Sequence, residues 1–330
     1  MTKLRIAIVG ATGMVGQALL KVLQETDDSK IKTAEYFLFA SSENVGEKIK
    51  VFGKEYSVLE LANETVRKIQ PDFAFFAAGG DVSVQWASAF TDIGCRVIDN
   101  SSAFRQNPDV PLIVPECNPQ DIKKNSMLIA NPNCSTIAVM PVLKPLDDVY
   151  KIKRVVYSTY QAVSGAGLAG IEDYKAGQQG EGPKKFKHRI FNNLIPQIDS
   201  FTQNGNTKEE QKMIFETQKI LGRKIAVTAT CCRVPVENSH SISVNVQFHR
   251  KPDITRVREI LKNAPGVVLL DDPDNFVYPM PYLANGKDEI FVGRVRLDNS
   301  HKKGLNLFAV CDNVRKGAAT NAVQILKLLL

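Results

Sequence analysis

The sequence predicts an α/β chain in two parts, a doubly wound parallel sheet followed by an α+β region whose sheet is mostly antiparallel. Three observations carry this. Short apolar runs alternate with helical or loop segments through the N-terminal part, the pattern of right-handed crossovers between parallel strands. Beyond about Leu146 the texture changes, and one strand alternates cleanly, with Ile242, Val244, Val246 and Phe248 on one face. The length of 330 residues and a 44% hydrophobic content are enough for about two separate cores.

Leu4–Val9 is an almost unbroken apolar run, suited to a central strand buried on both faces. Gly10-Ala11-Thr12-Gly13-Met14-Val15-Gly16 follows, then an amphipathic helix to about Thr26. Glycines there let the chain turn and let backbone amides approach a pyrophosphate at the helix N-terminus. The strand, loop and helix together read as a Rossmann-type dinucleotide-binding unit. Further strands are expected at Ala34–Phe39, Phe73–Ala77, Arg96–Ile98, Leu112–Val114 and Met127–Ala130. In the second part, Val155–Thr159 leads into the Gly-rich stretch Tyr160–Gly167, and residues 175–206 read as an irregular excursion. Thr207-Lys208-Glu209-Glu210 is a capping-box start for a helix to about Leu221. Strands near Ala226–Cys232, His240–Phe248, Phe291–Leu297 and Leu305–Val310 follow, with a helix at Ile254–Lys262 between them. The division expected is 1–132, 133–312, and a last helix, 313–330, returning to the first domain.

A formal net charge of +7 suits anionic ligands such as phosphates and argues only weakly for nucleic acid. The basic run Lys184-Lys185-Phe186-Lys187-His188-Arg189 reads most simply as a solvated loop. The six cysteines form no C-x-x-C pair and the four histidines have no metal spacing, so no metal is expected. Met1 precedes a strand almost directly, without a signal peptide, and no run reaches about 18 apolar residues. A soluble, cytoplasmic protein with reduced thiols is expected, with neither membrane nor nucleic acid as partner.

The most informative stretch is Asn131-Pro132-Asn133-Cys134-Ser135-Thr136, between a buried strand and a helix start. The partial positive charge of a helix N-terminus favours thiolate over thiol, which makes Cys134 a candidate nucleophile toward carbonyl carbon. Read alone, a cysteine there is a small buried hydrophobe. Arg233 ends one strand and His240 opens the next, so both can project from one sheet edge. His240 is in phase with Ile242, as a core histidine would be, but an imidazole there also suits a general base. Glu209 and Lys212 share one helix face, as an ordinary surface ion pair would. Arg105, in Asn100-Ser101-Ser102-Ala103-Phe104-Arg105, is a loop arginine able to grip a phosphate or carboxylate with two N–H groups.

Taken in order, the Gly10–Gly16 loop, Asn100–Arg105, Asn131–Thr136, Tyr160–Gly165, Arg233-Val234-Pro235 with His240-Ser241, and Asn313–Ala319 resemble the aspartate-β-semialdehyde dehydrogenase family over essentially the whole chain. The resemblance implies Cys134 as the acyl-carrying nucleophile, His240 as its acid/base partner and Gln161 as the residue orienting the bound acyl group. It implies a phosphate site from Arg105 and Lys212, Arg233 for the substrate carboxylate and Glu209 for its ammonium. Gly10, Thr12, Gly13, Met14 and Val15 match the pyrophosphate loop, and Ser164, Gly165 and Asn313 positions near the nicotinamide. The implied activity is reversible NADPH-dependent reduction of β-aspartyl phosphate to aspartate semialdehyde and phosphate, in lysine, diaminopimelate, threonine and methionine biosynthesis. A homodimer or homotetramer built through a second catalytic and dimerisation domain is implied as well. The rivals are an N-acetyl-γ-glutamyl-phosphate reductase and a non-catalytic dinucleotide sensor. Asn133-Cys134-Ser135 departs from the Gly-Cys-Tyr of that reductase family, and a sensor would have lost Cys134 or His240.

Cofactor choice turns on the end of the second strand. Ala40 stands where NAD-specific sites commonly place an acid, and Ser41 and Ser42 offer hydroxyls to a 2′-phosphate. NADP is therefore expected. The family often has an arginine just after such serines; here Glu43 replaces it, and NAD competes only if Glu43 turns inward.

Overall fold

The computed structural model describes residues 3–330. They form two compact units, one running to Pro132 and resumed by Ala318–Leu330, the other comprising Asn133–Gly317.

The first unit is built on a sheet of β1 (Arg5–Val9), β2 (Glu35–Ala40), β3 (Lys48–Val51), β4 (Lys54–Glu60), β5 (Phe73–Phe76), β6 (Arg96–Asp99) and β7 (Leu128–Ala130), in the spatial order β3-β4-β2-β1-β5-β6-β7. Every pairing is parallel except β3 with β4. The period of two assigns alternate side chains to opposite cores: Ile6, Ile8, Phe73 and Phe75 to one, Ala7, Val9, Ala74 and Phe76 to the other. Helix α1 (Met14–Gln24) covers the first of these faces with Leu19, Leu20 and Leu23, beside Ala322, Val323, Ile325 and Leu326 of the last helix, Asn321–Leu329. Short helix α2 (Ser29–Lys32) and helix α3 (Asn63–Ile69) intervene, and α4 (Gly80–Thr91) puts Phe90 edge-on to Phe39 and Phe76.

Two local expectations change. The β3–β4 hairpin escapes a search for apolar runs because it alternates Lys48, Lys50, Lys54 and Glu55 with apolar residues, as sheet edges do to discourage pairing with other chains. Leu112–Val114 lies between Pro111 and Pro115 and contributes one parallel bridge, Leu112 to Ala130, rather than a strand.

In the second unit, helix α5 (Cys134–Tyr150) precedes β8 (Ile152–Gln161), helix α6 (Leu168–Gln178) and helix α7 (Lys208–Leu221). Strands β9 (Ala226–Arg233) and β10 (His240–Phe248), helix α8 (Ile254–Lys262), strand β11 (Val267–Leu269), helix α9 (Pro281–Ala284), and strands β12 (Ile290–Leu297) and β13 (Gly304–Cys311) complete it. The sheet order is β11-β12-β13-β10-β8-β9. The three central pairings are antiparallel and the pairing at each edge is parallel, so the sheet is mixed. Ile242, Val244, Val246 and Phe248 join Val139, Val142, Leu146, Met213 and Val257 in one core, which fixes the face covered by α5, α7 and α8. Helix α6 extends to Gln178, into the stretch expected to be irregular. Its glycines serve close packing: a Cβ on Gly177 would lie 2.8 Å from the Phe191 Cβ.

Beyond β13 the chain winds as a π-helix over Arg315–Thr320 before the α-helix begins at Asn321, later than the expected start near Asn313. Asp312 explains the delay: its Oδ1 accepts from the amides of Val314 and Arg315, and its carbonyl from Gly317.

The capping box of α7 is complete. Thr207 Oγ1 accepts from the Glu210 amide at 3.3 Å, and Glu210 Oε2 from the Thr207 amide at 2.6 Å. Glu210 Oε1 also accepts from the Cys231 amide at 3.1 Å. Thr207→Ala is therefore expected to cost about 1 kcal/mol, and Glu210→Ala more, because it strands two buried amides. Urea midpoints rank the two variants; an equal loss would show that the bond to β9 contributes nothing.

Candidate active site

The sheet of the second unit brings distant residues to one end. Gln161 is the last residue of β8 and pairs with Arg233, the last of β9. His240 opens β10, which runs antiparallel to β8, and pairs with Cys311 at the end of β13. Three candidate side chains and the approach to Asn313 thus share one sheet end, although up to 152 positions separate Gln161 from Asn313.

Cys134 is the first residue of α5, and it is partly exposed. Its helix is capped by Asn133, whose Oδ1 accepts from the Ser135 amide at 2.9 Å. Asn133 is itself held twice: Nδ2 donates to Glu209 Oε1 at 2.9 Å, and its backbone amide to Glu216 Oε2 at 2.7 Å. Space beside the nucleophile is tight, since a Cβ on Gly317 would stand 2.9 Å from that of Cys134. Neither Asn133 nor Glu216 was singled out from sequence. The Asn-Cys-Ser order before an apolar run was an available N-cap signal; nothing local marks Glu216.

Glu209 is buried, and besides Asn133 it accepts from Gln161 Nε2 at 3.1 Å and Lys212 Nζ at 3.2 Å. Lys212 also meets Asp199 at 3.0 Å. Burial by itself would pull the Lys212 ammonium down, but Glu209 and Asp199 outweigh it and hold it above its ordinary value. The pair read as an ordinary surface contact is thus half buried and doubly opposed. Gln161 donates to Thr159 Oγ1 as well, at 3.2 Å.

Arg233 is buried, with Nη1 donating to the Ala162 carbonyl at 2.6 Å. Burial pulls it below the usual guanidinium value, against the negative charges of Glu209 and Cys134. His240 is fully buried. The Ala162 amide donates to its Nδ1 at 3.1 Å, so the neutral ring carries its proton on Nε2, an atom with no partner among the described residues. The ring enters a reaction as a donor, and acts as a base only after giving that proton up. Gly165 makes room for both: a Cβ there would lie 2.6 Å from Arg233 Nη1 and 3.2 Å from His240 Nε2. Asn313 ties the surrounding loops, donating to Ser164 Oγ at 3.0 Å and accepting from the Ser239 amide at 2.9 Å.

Gly165, Glu209, Lys212 and Arg233 line one cleft of about 360 Å³ with Lys185, Lys187 and Asp199. None of these last three was proposed for the site from sequence, although the lysines belong to the basic run noted there.

The first unit holds the remaining candidates. Gly10, Thr12, Gly13, Ser41 and Ser42 line a cleft of about 440 Å³ with Ala40, Glu60 and Trp86. Gly10 has φ +90°, and a Cβ there would press on the Ala77 carbonyl at 2.8 Å. Gly13 caps α1 without any side-chain hydrogen bond, leaving the first-turn amides for an external acceptor. These residues fit a dinucleotide pyrophosphate. Met14 and Val15 begin α1 and are not on the cleft wall; Val15 packs against the core, so only their amides are available to a ligand. Glu43 is exposed in a short 3₁₀ turn, Ser42–Asn44, and is absent from the cleft wall. Arg105 is buried, with Nη2 donating to the Asn100 carbonyl at 2.8 Å. Asn131 joins that loop to the last helix, donating to Asn100 Oδ1 at 2.8 Å and accepting from Asn321 Nδ2 at 2.6 Å.

Residues 5–125 match the family model of the semialdehyde dehydrogenase NAD-binding domain, and residues 143–316 that of the semialdehyde dehydrogenase dimerisation domain. The chain is 50% identical to the aspartate-semialdehyde dehydrogenase of Aquifex aeolicus, over 99% of this chain and 98% of that protein. It is similar to the crystal structure of aspartate semialdehyde dehydrogenase II complexed with ASA from Vibrio cholerae, with TM-score 0.93 and 42% identity over 100% of this chain and 98% of that one. It is also similar to the Candida albicans aspartate semialdehyde dehydrogenase crystallised with NADP, with TM-score 0.78 and 25% identity over 99% and 98%.

The buried His240 gives a pH signature. Burial, then the charge of Arg233, holds the imidazole well below its usual value of 6.5. Above pH 6.5 folded and unfolded chains are both neutral at this residue. Below it the unfolded chain binds a proton that the folded one refuses, so stability falls with pH until the depressed folded value is reached. At pH 5.5 the loss is expected to be about 1 kcal/mol relative to pH 7.5. Urea melts at both pH values measure it, and His240→Gln should remove that share of the loss. An equal pH dependence in the variant would mean that folding does not suppress protonation of His240.

Proposed function

The chain belongs to the aspartate-semialdehyde dehydrogenase family, and on that premise we propose how its residues perform the NADPH-dependent reduction of β-aspartyl phosphate to aspartate β-semialdehyde and phosphate. As an NADP-dependent oxidoreductase it serves amino-acid biosynthesis, toward lysine, threonine and methionine. The observation that carries the reading is Cys134 on the capped N-terminus of α5, within electrostatic reach of the Arg233 guanidinium.

The Cys134 thiolate attacks the acyl carbon, a C–S bond forms, and the C–O bond to phosphate breaks. A nicotinamide held beside Ser164, Gly165 and Asn313 would supply the hydride that reduces the thioester. Cys134 then leaves with both electrons of the C–S bond as the aldehyde is released. His240, with its proton on Nε2, donates to the oxygen that becomes negative at each tetrahedral stage, and receives the proton back from product or solvent. Arg233 is the partner for the substrate α-carboxylate and Glu209 for its ammonium, while Gln161, fixed through Glu209, orients the acyl group. Lys212 and Arg105 take the phosphate, in the role given by the family resemblance. Gly10, Thr12 and Gly13, with the amides of Met14 and Val15, receive the pyrophosphate, and Ser41 and Ser42 the adenosine ribose with its 2′-phosphate. Ser164, Gly165 and Asn313 shape the nicotinamide end. The dinucleotide-binding domain spans 1–132, the catalytic and dimerisation domain runs from 133 to the chain's return into the first unit near Ala318, and assembly as a homodimer or homotetramer goes through this second domain. Among the described residues no helix is long and apolar enough to cross a membrane, and a cytoplasmic location is part of the proposal.

Turnover of aspartate semialdehyde with phosphate and NADP tests the reading directly, and activity only with the N-acetylglutamate analogue would replace it. Cys134→Ser should keep the fold and lose at least about a thousandfold in kcat, since a hydroxyl does not ionise near neutrality. A labelled alkylating reagent should mark Cys134 before the other cysteines. Wild-type turnover in the serine variant would end the thioester mechanism.

Because Glu43 faces solvent, NADP should exceed NAD in kcat/KM. Glu43→Arg should widen the gap by lowering the KM for NADP several-fold while leaving that for NAD alone, about the effect of one added exposed charge. Specificity constants for both cofactors decide it; a wild-type enzyme favouring NAD would contradict the expectation.

A further inference from the structure

We propose that Lys185 and Lys187, on the loop between α6 and Ile190, are anion-binding residues of the phosphate subsite, and that Asp173 is the positioning residue that holds them there. The proposal rests on the dehydrogenase reading above and deepens it.

The first reason is charge. Lys212 lies between Glu209 at 3.2 Å and Asp199 at 3.0 Å, so most of its charge is already matched. Arg233 spends Nη1 on a backbone carbonyl and faces Cys134 and Glu209. Without the loop, Lys212 and Arg233 would balance Asp199 and Glu209 and leave the cleft neutral. Lys185 and Lys187 line the same cleft and make it net positive by two. Such a cleft can attract and hold a dianion, whether inorganic phosphate or the phosphoryl end of an acyl phosphate.

The second reason is construction. Solvated basic runs are usually held by nothing, but this one is clamped. Asp173, on α6 and 5% exposed, accepts three successive amides: Lys184 at 2.8 Å on Oδ1, and Lys185 at 2.7 Å and Phe186 at 2.8 Å on Oδ2. Burial would raise this carboxyl, and the three amides outweigh it and keep it below its ordinary range. Between the lysines, Phe186 packs with Val163, Ile171, Tyr174, Ile190 and Ile195. Gly170 gives the ring room, since a Cβ there would come within 3.3 Å of it. Carboxylate and ring anchor the backbone of the loop, and the flanking lysines border the cleft together with Phe186.

The test compares wild type with Lys185→Ala, Lys187→Ala, their double variant, the double Arg variant, Asp173→Asn and, as a loop control outside the cleft lining, Lys184→Ala. Phosphate KM is read in turnover of aspartate semialdehyde, and the Kd for inorganic phosphate by calorimetry without turnover. Each single alanine should raise both constants about two- to fivefold and the double about tenfold, the scale of partly screened charges. The kcat at saturating phosphate should change far less. The double Arg variant should restore phosphate binding, Asp173→Asn should raise KM several-fold, and Lys184→Ala should do neither. Added KCl should weaken phosphate binding to wild type more steeply than to the double alanine variant. A phosphate Kd within twofold of wild type in the double alanine variant would overturn the proposal. If wild type failed to turn over aspartate semialdehyde while the double variant still lost phosphate affinity, the proposed function would fail and the anion site would stand.

Discussion

The catalytic unit depends on one buried carboxylate, Glu209. It reaches the N-cap of the nucleophile helix through Asn133, the end of β8 through Gln161, and its own helix through Lys212. A buried anion is costly unless several donors replace its water, and these three do so. The dependence is mutual. Asn133 has its amide on Glu216, its Nδ2 on Glu209 and its Oδ1 on Ser135, so it has little freedom left. Cys134 is the next residue. Its position follows from a charge more than seventy residues away in sequence, and loss of Glu209 would take the acceptor from Asn133 Nδ2 while leaving Gln161 only Thr159 and Lys212 only Asp199.

Around that charge the sheet does the gathering. Strand directions place the C-terminal ends of β8, β9 and β13 beside the N-terminal end of β10, so Gln161, Arg233, His240 and Cys311 converge without any local sequence relation. Convergence creates crowding, which glycine relieves: Gly165 faces Arg233 and His240, and Gly317 faces Cys134. Gly317 sits in the π-wound segment that Asp312 sets up. Gly317, lacking a side chain, is the residue this turn sets beside Cys134.

This explains what sequence could and could not show. The doubly wound sheet was legible because Leu4–Val9 and Phe73–Ala77 are apolar on both faces, a pattern only a covered parallel strand needs. The alternation of His240–Phe248 and the capping box at Thr207 were equally legible, being rules of spacing. The β3–β4 hairpin was not, since edge strands hide in polar sequence, and α6 was obscured by glycines that serve packing. At the site, Lys212 read locally as a surface ion pair and owed its role to the family resemblance alone, whereas Cys134, His240 and Arg233 carried motif signals. Glu216, Asp199 and Asp173 did not, because each acts through partners at least eleven residues away, and no window of sequence contains both members. The basic run at Lys184–Arg189 showed its charge but not its clamp.

The electrostatics divide the work between a permanent charge and a neutral donor. Arg233 is a guanidinium that burial weakens without deprotonating, so it opposes the Cys134 thiolate at any working pH. With that cation fixed, a second one at His240 would be redundant and costly, and burial together with Arg233 prevents it. The Ala162 amide then selects which nitrogen keeps the proton. A neutral imidazole with Nε2–H stabilises an oxyanion when it forms, without drawing the thiolate into an ion pair that would blunt its attack. The same backbone segment thereby sets both groups, since the Ala162 carbonyl takes Arg233 and its amide takes His240.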